Sequence, residues 1–380
     1  MAFAGDIRTV GNVRFSGGVS GPGICAKQTN LFGHYSISCS GVWTPKALHV
    51  VNANSSLTVD QYRPDSIGGV SVKRGGEFAC RLAQVPQGWM FVDRNDGVVT
   101  VSETATFQGG GTRFTPASSS RGEFRINRLV VSGGEMELNA REANWQDVYS
   151  ITSNVNYVMG PGGVELSDAS SCMYTWWNRG VAFGCTDDWT FGAKPNGDGA
   201  IYPYDNMSLY FDTSDHDDRS VKHTVTIAGK IWGPKAKVAA YGGGTIRFAC
   251  TDADQFRGGF AVLDATTLEY ASTSARVGNG DVCLAPGSTL ALPAAGSGPV
   301  TIAGRLALTK GVGTVHVRLG SAGSAVKPGV YPIATVEGGV DSNLLSRLSL
   351  VNAKKEKGGC VFSLSTDSKT IELRVGAAAK

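Results

Sequence analysis

The chain has 380 residues, with 51 glycines, 14 prolines and a formal net charge of +3. Its basic residues are scattered singly rather than gathered in a stripe, so the charge does not indicate a nucleic-acid partner. No run approaches the roughly 18 apolar residues of a membrane-spanning helix, and Asp6 and Arg8 interrupt the N-terminal stretch where a secretory signal would be apolar. Abundant glycine among strand-favouring residues predicts many short strands joined by tight turns.

The cysteines do not indicate a metal centre. They lie at positions 25, 39, 80, 172, 185, 250, 283 and 360, with neither a CxxC pair nor the Cys/His spacing of a zinc site. The spacings Cys25 to Cys39 and Cys172 to Cys185 could each close a loop in an oxidising compartment. Buried thiols are the simpler interpretation, and we expect no metal and no cofactor.

Several segments share one pattern, in which two short apolar runs flank a turn of small or polar residues. These segments are LHVVNANSSLTV (48–59), VSVKRGGEFAC (70–80), VTVSETATF (99–107), LVVSGGEMEL (129–138), FAVLDATTLEY (260–270) and VCLAPGSTLAL (282–292). Each run alternates with the period of two that places successive side chains on opposite faces of a strand. The pattern therefore predicts pairs of short strands with one buried face.

An aromatic cluster, YTWWNRGVAFGCTDDW (174–189), precedes the most regular part of the chain. Exposed rings of Trp176, Trp177 and Trp189 would stack well on sugar rings, which makes these three the candidate ligand-binding residues. The alternative is that the rings fill a wide part of the core, because irregular coils need bulky filler.

The densest acidic cluster is DTSDHDD, in which Asp212, Asp215, Asp217 and Asp218 could offer oxygen ligands to calcium. No glycine lies where a compact calcium loop would turn, and charged residues between strands usually contact water. We therefore expect a solvated loop rather than a metal site. The histidines have no serine, cysteine or aspartate partner at a meaningful spacing, so no catalytic residues are predicted.

A long-range period follows this cluster. TIRF begins at Thr245, TLEY at Thr267 and TLAL at Thr289, each 22 residues after the last, and TVTI begins at Thr224. Such a period with glycine corners is typical of β-solenoids, in which a coil buries its apolar face only by stacking on its neighbours. We expect inward side chains at Ile246, Phe248, Leu268, Tyr270, Leu290 and Leu292, and outward side chains at Thr245, Arg247, Thr267, Glu269 and Ala291.

The fold class predicted by this pattern is all-β: a single-stranded right-handed parallel β-helix (β-solenoid) with a C-terminal cap. We expect one continuous solenoid, with irregular coils over 1–188, regular coils over 189–338 and a closing segment over 339–380. Within the last, LLSRL (344–348) is expected to form a small helical piece. Two β-sandwich domains would also give short alternating strands, but a sandwich has no reason to keep a 22-residue step.

The segment 242–292 resembles the autotransporter-associated β-strand repeat, a passenger-type unit of bacterial surface proteins in the pectin-lyase-like β-helix superfamily. The similarity lies in a glycine-rich strand at Gly242 to Phe248, a double glycine at Gly258–Gly259, strands at Phe260 to Leu263 and Thr267 to Tyr270, and a GNG turn at Gly278 to Gly280. It extends most clearly over 189–311.

The resemblance implies a non-enzymatic structural passenger that is exported or displayed at the cell surface. Such an adhesin-like protein would be extracellular or on the cell surface, would be a monomer, and would bind a glycan or a host or cell-surface protein along its flank. The first alternative is a carbohydrate-active enzyme of the same fold, either a polysaccharide lyase or a glycoside hydrolase. The second is a phage tail-spike-like fibre module, which would be a trimer.

Overall fold

The computed structural model describes residues 13–15, 29–31, 35–44, 48–51, 55–64, 69–86, 90–95, 97–108, 112–116, 122–138, 157–167, 172–175, 181–193, 200–203, 208–233, 235–252, 256–309, 311–351 and 359–376. The chain forms two compact units. The first comprises Met1–Trp145 and Thr152–Tyr202, and the second comprises Gln146–Ile151 and Pro203–Lys380.

The first unit is built from short and medium-length strands. They are β1 (Val13–Phe15), β2 (Thr29–Leu31), β3 (Tyr35–Trp43), β4 (Leu48–Val51), β5 (Ser55–Tyr62), β6 (Gly69–Val72), β7 (Glu77–Val85), β8 (Met90–Asn95), β9 (Val98–Gln108), β10 (Thr112–Pro116), β11 (Glu123–Ser132), β12 (Glu135–Leu138), β13 (Tyr157–Leu166), β14 (Cys172–Thr175), β15 (Val181–Cys185), β16 (Trp189–Ala193) and β17 (Ala200–Pro203).

The strand pairs that the structure describes within the first unit are parallel. The longer strands stack in the order β1, β3, β5, β7, β9, β11 and β13, and β13 then pairs with both β15 and β16. The shorter strands form separate parallel ladders, β2–β4–β6 and β8–β10–β12–β14. Parallel pairing of strands that follow each other by one coil defines a parallel β-helix, because each coil returns to lie on the one before it.

The core of the first unit contains a column of aromatic rings. Phe124, Tyr157 and Phe183 occupy equivalent positions on successive coils, and their ring centroids lie 5.8 Å and 5.6 Å apart. Trp189 extends the column, with its ring centroid 5.9 Å from that of Phe183. Since all four rings are buried, large aromatic side chains fill the interior of these coils.

One predicted turn is replaced by a bulge. The segment 99–107 is not two strands around a turn but part of the single strand β9, whose pairing with β7 and β11 shifts register near Ser102 and Glu103. A bulge bends a strand without ending it, so the coil turns its corner without glycine. The other segments with this pattern each form two strands, as predicted: β4 and β5, β6 and β7, and β11 and β12 in the first unit.

The second unit continues with shorter strands. They are β18 (Ser208–Asp215), β19 (Thr224–Ile227), β20 (Lys230–Ile231), β21 (Lys237–Tyr241), β22 (Thr245–Phe248), β23 (Phe260–Val262), β24 (Thr267–Tyr270), β25 (Val282–Leu284), β26 (Thr289–Leu292), β27 (Val300–Ile302), β28 (Leu306–Leu308), β29 (Val315–Leu319), β30 (Gly329–Val336), β31 (Leu348–Leu350), β32 (Cys360–Leu364) and β33 (Thr370–Val375).

Two parallel ladders run through the second unit, and each coil contributes one strand to each ladder. The first is β18–β21–β23–β25–β28, and the second is β19–β22–β24–β26–β29–β31. In the second ladder Thr245 pairs with Thr267, and Thr267 pairs with Thr289. The 22-residue period predicted from the sequence is therefore one coil of a parallel β-helix, which confirms the predicted all-β parallel β-helix class.

The side-chain directions agree with the prediction on the inward face. The residues expected to point inward are all buried: Ile246, Phe248, Leu268, Tyr270, Leu290 and Leu292. On the outward face, Thr245, Arg247, Thr267 and Glu269 are partly or fully exposed. Ala291 departs from this pattern, since only 1% of its surface is exposed.

Stacked glycines form one corner of these coils. A Cβ on Gly258 would lie 2.0 Å from the carbonyl oxygen of Ala236, one on Gly280 would lie 2.3 Å from the backbone nitrogen of Gly259, and one on Gly304 would lie 2.2 Å from the carbonyl oxygen of Gly280. Backbones of successive coils approach so closely here that no side chain fits. The double glycine and the GNG turn seen in the sequence lie at this corner.

The C-terminal part introduces antiparallel pairing. Strand β30 pairs in parallel with β27 on one side, whereas β33 pairs antiparallel with both β30 and β32. The expected helical piece is a 3₁₀ turn at Leu345–Arg347. These elements lie in or beside the segment 339–380 that the sequence assigns to closing the solenoid.

Candidate functional site

The acidic cluster lies on the connection between β18 and β19. The chain doubles back there, because the backbone nitrogen of Asp215 donates to the oxygen of Val221 at 3.0 Å and that of His223 donates to the oxygen of Thr213 at 2.8 Å. The cluster is therefore a compact loop with its own hydrogen bonds.

Asp212 anchors the base of this loop. Its carboxylate is buried, with the whole residue 3% exposed. Oδ1 accepts hydrogen bonds from the backbone nitrogen of Ser214 at 3.0 Å and from its hydroxyl at 2.6 Å. Oδ2 accepts from the exposed guanidinium of Arg219 at 2.9 Å. A buried carboxylate needs such partners, because leaving it unsatisfied is costly.

Asp215 holds the middle of the loop. Its Oδ1 accepts from the backbone nitrogens of Asp217 at 2.8 Å and Asp218 at 2.7 Å, and its Oδ2 lies 2.9 Å from Nε2 of His223. Burial alone would raise the pKa of Asp215, but the hydrogen bonds from His223 and from the two backbone nitrogens outweigh burial and lower the pKa below its usual value.

Asp218 completes the loop, since its Oδ1 accepts from the backbone nitrogen of Ser220 at 3.0 Å and from its hydroxyl at 2.7 Å. These hydrogen bonds lower the pKa of Asp218. All four predicted carboxylates lie in the described part of the chain. No three of them have carboxylate oxygens that all lie within 4.8 Å of one another. The cluster thus does not form the convergent oxygen set that calcium requires, and its hydrogen bonds shape the loop.

Of the three candidate tryptophans, the structure describes only Trp189. Trp176 and Trp177 lie outside the described residues. Trp189 is 2% exposed and packs against Phe183 in the core. Its ring therefore offers no exposed face to a sugar, and it acts as the bulky filler that the alternative interpretation expects.

Charged residues form a column on the outward face of the second ladder. Oε1 of Glu269 lies 3.3 Å from Nε of Arg247 on the preceding coil. Oε2 of Glu269 accepts a hydrogen bond from Arg318 at 2.8 Å. Thr224, Thr245, Thr267 and Thr289 stand in register in the neighbouring column of the same face. The outward face of these coils is thus polar and repeats at the coil spacing.

One exposed aromatic residue was not singled out from the sequence. Trp232 is 37% exposed, whereas the other tryptophans with described side chains, Trp43 and Trp189, are each 2% exposed. It follows β20, where Lys230 forms an ion pair with Asp252 of the next coil at 3.2 Å. The alternation in Lys-Ile-Trp, with the apolar isoleucine between two residues that can face solvent, was the available signal.

Among the residues that the structure describes, none forms a helix long and apolar enough to cross a membrane. Comparison of the chain with protein-family models, with curated proteins and with solved structures finds no match.

Proposed function

We propose that the chain is a non-enzymatic structural β-helix, exported or displayed at the cell surface, that binds a glycan or a protein along its outward flank. The observation that carries this proposal is the in-register stacking of β22, β24 and β26, which repeats an outward threonine from coil to coil. Stacked repeats of this kind present extended binding surfaces, because the same surface position recurs on every coil.

The acidic loop adds support. An active site of a polysaccharide lyase or glycoside hydrolase needs carboxyl groups poised to act on a substrate. The carboxylates of Asp212, Asp215 and Asp218 instead accept hydrogen bonds from residues of their own loop. This arrangement favours a structural role for the densest acidic cluster in the chain.

Antibody labelling of intact cells of the source organism tests display. We expect an antibody raised against the purified chain to label intact cells, or to detect the chain in the medium. Labelling that requires permeabilised cells would contradict the proposal.

A second measurement separates the proposal from the enzyme alternative. The purified chain is incubated with neutral and acidic polysaccharides, with and without calcium, and unsaturated products and new reducing ends are measured. We expect neither to form. Product formation would identify a carbohydrate-active enzyme, and sedimentation as a trimer rather than a monomer would favour the fibre module.

A further inference from the structure

We propose that Trp232, Lys230 and Asp252 form a binding site for a neutral pyranose residue of a polysaccharide. This inference rests on the proposed function and names the ligand class and the place on the flank where the ligand binds. The ring that contacts the sugar is thus in the second unit and not in the aromatic cluster at 174–189.

The backbone around β20 sets the direction of these side chains. The carbonyl oxygens of Ile231 and Gly233 accept hydrogen bonds from the backbone nitrogens of Phe256 at 3.0 Å and Arg257 at 3.2 Å. The segment thus lies against the next coil as far as Gly233. Because Ile231 is fully buried, alternation places Lys230 and Trp232 on the outward side.

Exposure of Trp232 has an energetic consequence. A tryptophan carries a large, mostly apolar surface, and burying such surface stabilises a protein. With 37% of its surface exposed, Trp232 forgoes part of this stabilisation. A sugar ring that stacks on the indole would recover part of it and leave the sugar hydroxyls at the edge of the ring.

The ion pair beside Trp232 supplies the polar contacts. Nζ of Lys230 and Oδ2 of Asp252 lie 3.2 Å apart, and their side chains are 22% and 43% exposed. An ionised carboxylate only accepts hydrogen bonds and an ammonium only donates them. Sugar hydroxyls can do both, so one sugar can bind to the two groups together.

The charge of the pair selects the ligand. The ion pair holds one positive and one negative group, and the more exposed of the two is the carboxylate of Asp252. A uronate or sulfated sugar would place a negative charge beside it, which is unfavourable. A neutral pyranose is therefore the ligand class that fits both the ring and the pair.

Fluorine NMR of the full chain labelled with 5-fluorotryptophan tests this site. The Trp232→Phe variant identifies the resonance of Trp232 by its loss. Hexasaccharides of cellulose, xylan, chitin and polygalacturonate are then titrated to about 10 mM, ten times the concentration at which a millimolar ligand is half bound. We expect at least one neutral hexasaccharide to shift the Trp232 resonance in a saturable manner.

Two substitutions complete the test. Asp252→Asn should weaken this binding about tenfold, because it replaces a charged acceptor by a neutral amide. Val312→Ala, which alters an exposed apolar residue elsewhere in the unit, should leave binding unchanged. Thermal unfolding of each variant checks that it is folded.

The outcomes separate the site from the broader proposal. If neutral sugars shift other tryptophan resonances but not that of Trp232, the site is wrong while glycan binding stands. If only polygalacturonate shifts the Trp232 resonance, the assignment to neutral sugars is wrong. If no hexasaccharide shifts any resonance, the site is overturned, and surface display with a protein ligand remains open to the cell-labelling experiment.

Discussion

Arg318 donates a hydrogen bond of 2.8 Å to Glu269, which lies two coils earlier. The residue in register between them is Ala291, whose small side chain lets the guanidinium extend across it. This contact gives a physical reason why Ala291 is buried although its position in the strand points outward. The ion pair thus connects three successive coils.

Glu269→Gln should destabilise the second unit by about 1 kcal/mol, because one carboxylate serves both Arg247 and Arg318 and two of these three side chains are only about a quarter exposed. Urea unfolding would measure the effect. Glu337→Gln, at an exposed glutamate, is the control and should change stability by less than about 0.5 kcal/mol. If the two substitutions change the free energy of unfolding equally, the ion pairs of Glu269 contribute nothing to stability.

Gly280→Ala should destabilise the fold by more than about 2 kcal/mol, since the new Cβ would lie 2.3 Å from a backbone nitrogen of the preceding coil and the backbone would have to move. Gly359→Ala is a matched control, because an added Cβ there meets nothing within 4 Å. Thermal unfolding compares the two. If both variants unfold at the melting temperature of the wild type, the corner has more room than the Cβ distances indicate.

Ala265→Gly should stabilise the protein by about 0.5–1 kcal/mol. Asp264 and Ala265 have φ values of 50° and 57°, and Thr266 donates its backbone hydrogen bond to Leu263 at 2.9 Å, which is the geometry of a turn that prefers glycine. Ala285, in the next coil, has no positive φ. The Ala285→Gly variant should therefore lose a similar amount of stability. A loss of stability in both variants would argue against the turn.

The difference in stability between wild type and the Asp215→Asn variant should depend on pH. The folded-state pKa of Asp215 is lowered, so its ionised form stabilises the fold above the unfolded pKa of about 3.9, and this contribution is lost as pH falls through the lower folded pKa. The variant should therefore be less stable than wild type at neutral pH, and the gap should narrow below about pH 4. Melting temperatures of both proteins between about pH 7 and pH 3 measure it; a gap that does not change with pH would contradict the assignment.

The coil repeat was predictable because the strand period and the coil period are both visible in the residues. Thr245, Thr267 and Thr289 are 22 residues apart and pair directly in the structure. Alternation around them gave the inward side chains correctly. Local patterns of this kind survive folding because each coil meets a near copy of itself.

Other features depend on contacts that no local pattern encodes. Ala291 is buried although it stands at an outward position, and the 99–107 bend is a bulge that needs no turn residue. The carboxylates of the acidic loop have partners that only the folded loop reveals. Trp232 has no aromatic residue beside it in the sequence, whereas the aromatic residues at 174–189 form a visible cluster.

The distance between two outward residues several coils apart tests the stacked repeat most directly. Thr224 and Ser349 stand at the ends of one column, separated by five successive strand pairings. At about 4.8 Å per pairing, their backbones should lie about 24 Å apart. Spin labels introduced there through a non-thiol unnatural amino acid should give one narrow distance distribution near this value by pulsed electron paramagnetic resonance. A distribution centred beyond about 40 Å would contradict the stacked β-helix, because five pairings cannot span that distance.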